Sequence, residues 1–416
     1  MYLRGSRFNL NRRRRRSNPV RVAILMVLVG AALYFNQFVV PQTPPLFVPT
    51  PTPTRAPESY AMEAEQLVSQ GKFLPAIQLY REALLVDPRN PAYHLALARL
   101  YIYTKNYQQA LETAGNALLQ NPNNAQALAL RGYALGLMGD YLQAEATLNQ
   151  AIELDPNNPV PYAYLAEVLG LKVQNGEGDL VTLNRAIDLS RKAQSLGPDL
   201  LETHRARGLV LELTANYADA AREFEAAIAQ NKYIADLYLA LGRNYRAIPD
   251  YPKAIQAFGN AIPLMPTDPL PYMYLSKTYL ATGELTRALQ YAEQALSHAP
   301  TDPYLYGNLG VIYYRTRDYV RAIQYLRIAV RGGTSEDGQP VQGLALDYYP
   351  ISEYYYTYGL ALARTGECEE AVQIARALLQ GVSNEDIAVS NAQEIINICG
   401  GQVSGAAITP LPSATP

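Results

Sequence analysis

The sequence predicts an all-α solenoid of about nine helix-turn-helix units, closed by a C-terminal capping helix and preceded by one transmembrane helix. Three observations carry this. Residues 22–40 form an unbroken apolar run, small residues recur at a fixed interval from Ala64 onward, and Pro or Asn-Pro falls near the end of most intervals. With 416 residues, 49% apolar and 17% charged, the chain buries a large core, which excludes a wholly disordered protein or a disulfide-dense miniature scaffold.

Charge is unevenly distributed. Nine Arg and no acid precede Glu58, so that segment carries +9; the remainder holds 26 basic against 37 acidic residues, or −11. An acidic body argues against a nucleic-acid surface. The run VAILMVLVGAALYFNQFVV at 22–40 spans roughly 28 Å as a helix, close to the hydrocarbon thickness of a bilayer. Segment 1–21 holds eight Arg, including Arg12 to Arg16, which predicts a cytoplasmic N-terminus and an extracytoplasmic body in the cell membrane. Two alternatives stay open: a signal peptide cleaved near Gly30, Ala31 and Ala32, which would secrete the body, and a nucleic-acid-binding role for the Arg run. Residues 41–57 are rich in Pro and Thr and predict an extended spacer; 401–416 resemble them in composition and predict a flexible tail.

Residues 57–383 repeat one pattern nine times. Small residues stand at Ala64, Ala98, Gly132, Ala166, Gly208, Gly242, Ser276, Gly310 and Gly359, at steps of 34 apart from one of 42 and one of 49. An Ala follows twelve residues later in every unit but the fourth, and a third small position seven beyond that, with Leu378 the exception. Close crossing of two antiparallel helices demands such residues. The step of 42 places eight extra residues in the turn around LKVQNGEGDL; the step of 49 places fifteen in a Tyr-rich insertion at 332–350. Segment 384–400 predicts the capping helix, with Ile387, Ile395 and Ile398 as its apolar stripe.

This 34-residue unit with its small, Ala, Ala and Pro positions resembles the tetratricopeptide repeat. The resemblance implies a right-handed superhelix whose first helices line a concave groove that receives a partner segment. On this chain the implied groove carries Arg99, Tyr103, Tyr133, Glu167, Arg243, Arg246, Met273, Lys277, Tyr304, Tyr314, Arg315 and Tyr356. Cations mixed with tyrosines suit a peptide with acidic or aromatic side chains, and the compartment makes an envelope protein the expected partner. Ala61, Leu95, Ala129 and Ala163 occupy the site where chaperone-binding members carry a carboxylate-gripping Lys, which argues against that ligand class. A purely structural subunit joined edge to edge is the alternative reading.

No phosphate-binding glycine loop, nucleophile elbow or HExxH motif occurs, so neither catalysis nor a cofactor is expected. His94 and His204 fall at the early-helix site that Tyr60, Tyr162, Tyr238, Tyr272, Tyr306 and Tyr355 occupy in other units, and His298 stands alone, so no metal site is expected. Cys368 opens the last second helix and Cys399 ends the capping helix; outside the cytoplasm the pair is expected to form a disulfide, with two free buried thiols as the alternative.

Overall fold

The computed structural model describes residues 18–39 and 55–400; the Arg-rich segment up to residue 17, most of the Pro/Thr-rich stretch and the tail from 401 lie outside the described residues. The chain divides at Ala56 into two units. The described part of the N-terminal unit holds the helix α1 (Pro19–Tyr34), continuing through a π-helical turn at Phe35–Val39. Asn18 accepts a hydrogen bond from the Val20 amide and Pro19 fills the first helical position, so the helix begins upstream of the apolar run. Over Pro19–Phe38 it is long and apolar enough to cross a membrane.

From Pro57 to Cys399 the described residues form nine antiparallel helix pairs and a closing helix. The first four pairs are α2 (Pro57–Ser69) with α3 (Phe73–Val86), α4 (Pro91–Tyr103) with α5 (Tyr107–Gln120), α6 (Ala125–Leu137) with α7 (Tyr141–Leu154), and α8 (Pro159–Gln174) with α9 (Leu180–Leu196). Next come α10 (Leu201–Leu213) with α11 (Tyr217–Gln230), α12 (Ala235–Ala247) with α13 (Tyr251–Ala261), and α14 (Pro269–Ala281) with α15 (Leu285–His298). The last are α16 (Pro303–Arg315) with α17 (Tyr319–Arg331) and α18 (Ile351–Thr365) with α19 (Cys368–Gly381), before α20 (Asp386–Cys399).

Local chemistry sets the ends of these helices. Asn90, Asn158, Asp268 and Asp302 each accept the amide two residues on, and the Pro that follows each supplies the helical φ. The turn inside a pair uses one residue in the left-handed region. Glycine provides it at Gly71, Gly139, Gly283 and Gly366, and Lys105, Ala215 and Arg317 adopt it despite a side chain.

The crossing of each pair explains the register. A Cβ on Gly132, Gly208, Gly242 or Gly310 would lie 2.7, 2.8, 2.4 or 2.5 Å from Leu148, Phe224, Phe258 or Leu326, respectively. Large residues therefore fill the space that each glycine vacates. Where the first helix carries Ala98, Ala166 or Ser276, the same register of the second helix holds Ala114, Ser190 or Ala292, all fully buried. Only the first unit sets a large residue, Tyr80, against Ala64.

A second device joins successive units. The hydroxyls of Tyr162, Tyr272 and Tyr306 donate to the carbonyls of Pro156, Pro266 and Pro300, six residues back and just past the preceding helix, and Tyr238 does the same to Lys232. His94 makes the equivalent contact to Pro88 through Nε2 at 2.9 Å. His204 departs from this: its Nδ1 lies 2.7 Å from a Glu223 carboxylate oxygen.

The insertions and the cap differ in detail from expectation. The eight extra residues of the fourth unit are not confined to its turn. Helices α8 and α9 have 16 and 17 residues where the second unit's have 13 and 14, so three lengthen each helix and the remaining two enlarge the turn. The second insertion contains a short antiparallel ladder, β1 (Gly333–Thr334) with β2 (Pro340–Val341), whose Val341 is buried beside Tyr306 and Ala329. Its far end is tied down where the Leu344 amide donates to the Ala329 carbonyl and the Tyr355 hydroxyl to the Leu344 carbonyl. On α20 the buried stripe is Ala388, Ala392, Ile395 and Cys399; Ile387 and Ile398 are exposed at 62% and 39%. The bond between Cys368 and Cys399, with Cα atoms 5.4 Å apart, turns that face inward and leaves the two isoleucines outside.

Candidate functional site

First helices contact one another in sequence from α4 through α18, whereas neighbouring second helices are separated by them. That closer spacing makes the first-helix wall the inner, concave face. The wall curls far enough to meet itself. Lys105, at the turn between α4 and α5, donates to Asp268, the N-cap of α14 163 residues on, at 2.7 Å, and pairs with Asp236 of α12 at 2.8 Å. Both carboxylates hold the Lys105 ammonium above its ordinary range against the opposing effect of burial. Beside it, Gly71 packs against the Tyr233 ring at a distance that excludes any Cβ.

Within this closed half lies a cavity of about 320 Å³. Its polar centre is Glu167, which accepts from the Tyr133 hydroxyl at 2.5 Å and from Arg205 Nε at 2.8 Å. The Arg205 guanidinium also lies 4.8 Å from the Tyr133 ring centroid, and Tyr133 stacks on Tyr164 at 4.2 Å. Burial pushes both tyrosine hydroxyls well above their usual range. Tyr133 and Glu167 therefore sit inside the wall. Arg243 donates to both Glu212 oxygens at 2.8 and 3.1 Å. Arg99 is half-buried near Tyr103, Tyr164 and Glu202, with its Nε unpartnered, and Tyr103 meets Phe73 at 5.6 Å.

The other half of the wall holds a second cavity, about 550 Å³, where α12, α14, α16 and α18 meet the insertion. Arg246, Lys277 and Arg315, on three successive first helices, converge there with Tyr349, Glu353 and Tyr354. Tyr304 lies at its edge, 6.4 Å from Tyr354, and Tyr356 is electrostatically coupled to Glu353 and Arg315. Met273 packs half-buried beside Tyr272, and Tyr314 lies against Tyr319 and under Arg364. The predicted groove residues thus divide between a half where Arg243 is paired with a Glu and a half where, among the described residues, Arg246, Lys277 and Arg315 form no ion pair. Sequence reasoning missed Lys105, Arg205, Glu353 and Tyr354; the Tyr-rich insertion was the one visible signal for Tyr349.

Among the described residues, no group of three or more His, Cys, Asp or Glu is placed to hold a metal ion.

Models of the tetratricopeptide repeat match residues 67–132, 125–158, 206–269 and 275–337, together just over half of the chain. The chain is 26% identical over 212 residues to BBSome complex member BBS4 of Bos taurus, covering 51% of this chain and 39% of that protein. To tetratricopeptide repeat protein 28 of Mus musculus it is 33% identical over 113 residues, covering 24% and 5%. It spans well under half the length of these curated relatives. A solved tetratricopeptide repeat protein from Parabacteroides merdae matches 62% of this chain and 98% of its own at 17% identity and a TM-score of 0.39. From the repeat register, the crossings and the family models that match over half of its length, the chain belongs to the tetratricopeptide repeat family, a family of non-catalytic protein-interaction scaffolds.

Proposed function

We propose that this protein is a membrane-anchored scaffold that docks an extended partner segment on the first-helix wall of its C-terminal units, on the extracytoplasmic side. The observation that carries the docking reading is the contrast between the two halves of the wall: one is closed and self-paired, the other presents a cavity bordered by Arg246, Lys277 and Arg315. The apolar run at 22–40, preceded by eight Arg, supports the anchor and its orientation. The Cys368–Cys399 bond suits an oxidising compartment, which makes envelope proteins the expected partners.

Site-specific photocrosslinking tests the docking. A photoreactive residue at Tyr304, on the wall, should capture a partner in intact cells, and one at exposed Leu142, on a second helix, should not. Capture from Leu142 alone would favour assembly through the outer surface. For placement, protease added outside the cytoplasmic membrane should digest the repeats; complete protection there, with digestion from the cytoplasmic side, would reverse the topology.

A further inference from the structure

We infer that the cavity between α12, α14, α16 and the insertion is a subsite for one carboxylate side chain, Asp or Glu, of the docked segment; this rests on the groove-docking reading above. Three cations converge on it, and among the described residues none of Arg246, Lys277 and Arg315 forms an ion pair. By contrast Arg205, Arg243, Arg327 and Arg331, on neighbouring parts of the solenoid, are each paired with a Glu. Arg246 and Lys277 are half-buried and Arg315 is exposed, and cations without an ion-pair partner favour an incoming anion.

The electrostatics inside the cavity agree. Burial and the neighbouring Arg246 hold the Lys277 ammonium below its ordinary value, and burial holds the Glu353 carboxyl above its own. Asp302, at the start of α16, is likewise raised by burial. Glu353 thus lies among all three cations, yet among the described residues it forms an ion pair with none of them.

A second, independent observation points to an occupant. Tyr354 is 1% exposed and lines the cavity, yet its hydroxyl has no hydrogen-bond partner. A buried donor is rarely left unpaired. Its ring is fixed in place: Gly307 leaves no room for a Cβ, which would lie 2.5 Å from the ring, and Tyr304 abuts it edge-on. The insertion completes the site by bringing Tyr349 up to Arg246. The cations stand one, four and five residues after the small first-helix position, at Lys277, Arg246 and Arg315. They are thus distinct from the Lys site occupied here by Ala61, Leu95, Ala129 and Ala163. A peptide fits better than a lipid headgroup because the cavity lies on the first-helix wall, where Tyr304 abuts the lining residue Tyr354.

The test uses the full chain in detergent micelles on an array of octapeptides, each Glu peptide printed beside its Gln counterpart. Retained peptides should prefer Glu over Gln, and Lys277→Met should cut Glu retention about tenfold while leaving Gln retention unchanged. Tyr349→Phe, at an exposed ring that the fold does not need, should weaken Glu retention about threefold. Equal retention of Glu and Gln peptides, or a Glu preference that survives Lys277→Met, overturns the carboxylate subsite and leaves groove docking standing. Retention of no peptide overturns both. Displacement of the peptides by anionic phospholipid vesicles through Lys277 assigns the site to lipid and overturns this inference.

Discussion

Gly242 and Phe258 test the crossing rule directly. An alanine at 242 places its Cβ 2.4, 2.6 and 2.8 Å from three atoms of the Phe258 ring, which is itself fully buried. Overpacking of this kind costs about 1–3 kcal/mol, whereas Gly to Ala inside a helix gains about 1 kcal/mol. With Phe258 present the exchange should therefore be destabilising by up to about 2 kcal/mol. Phe258→Ala alone should cost about 3–5 kcal/mol through its cavity. In that background the clash is absent, only the propensity gain remains, and Gly242→Ala should become stabilising by about 1 kcal/mol. The double variant reproduces the Ala98–Ala114 arrangement of the second unit, and the resulting coupling is about 1–3 kcal/mol. Because repeat arrays depart from two-state unfolding, the measurement is hydrogen exchange of the α12 and α13 amides in all four variants. An effect of the same sign in both backgrounds would refute the complementarity.

Three further outcomes are expected. Lys105→Met strands the largely buried Asp268 carboxylate; spin labels at Gln108 and Thr267 should move apart, with a loss of about 2 kcal/mol between the values for exposed and buried pairs. An unchanged label distance would contradict closure of the wall. Reducing the Cys368–Cys399 bond, whose partners are 31 residues apart, should lower the exchange protection of α20 by about 3 kcal/mol and leave α4 to α11 unaffected; loss of protection throughout would show that the bond does more than hold the cap. The Thr182 hydroxyl and amide hold the Asp179 carboxyl below its usual 3.8. Its contribution to capping α9 is thus complete above pH 3.8 and lost as pH falls through the lower folded value; an NMR titration showing a raised value would contradict the cap.

Spacing made the architecture legible, because a small residue at a helix crossing is a local steric requirement repeated in every unit. Spacing did not reveal where extra length goes. The residues after Ala166 continue a helix as readily as they loop, and the added helical hydrogen bonds hold most of them in α8 and α9. Nor did it fix the rotation of α20, where three isoleucines looked like the buried stripe until the cysteine bond turned Ala388 and Ala392 inward. At the candidate site the first-helix positions were legible and their pairing was not. Glu212 lies 31 residues from Arg243, and Glu167 lies 38 from Arg205, so the partners come from neighbouring units whose relative rotation no local pattern states.

The hydroxyl of Tyr355 reaches the Leu344 carbonyl, eleven residues back, where its counterparts reach six. The tether between the eighth and ninth units thus tolerates a change in chain length, since the guest segment itself supplies the acceptor. Lineages of such proteins can acquire new sequence at this junction without dismantling the stack, and a protein engineer can graft a foreign loop there while retaining the Leu344 carbonyl as its anchor point.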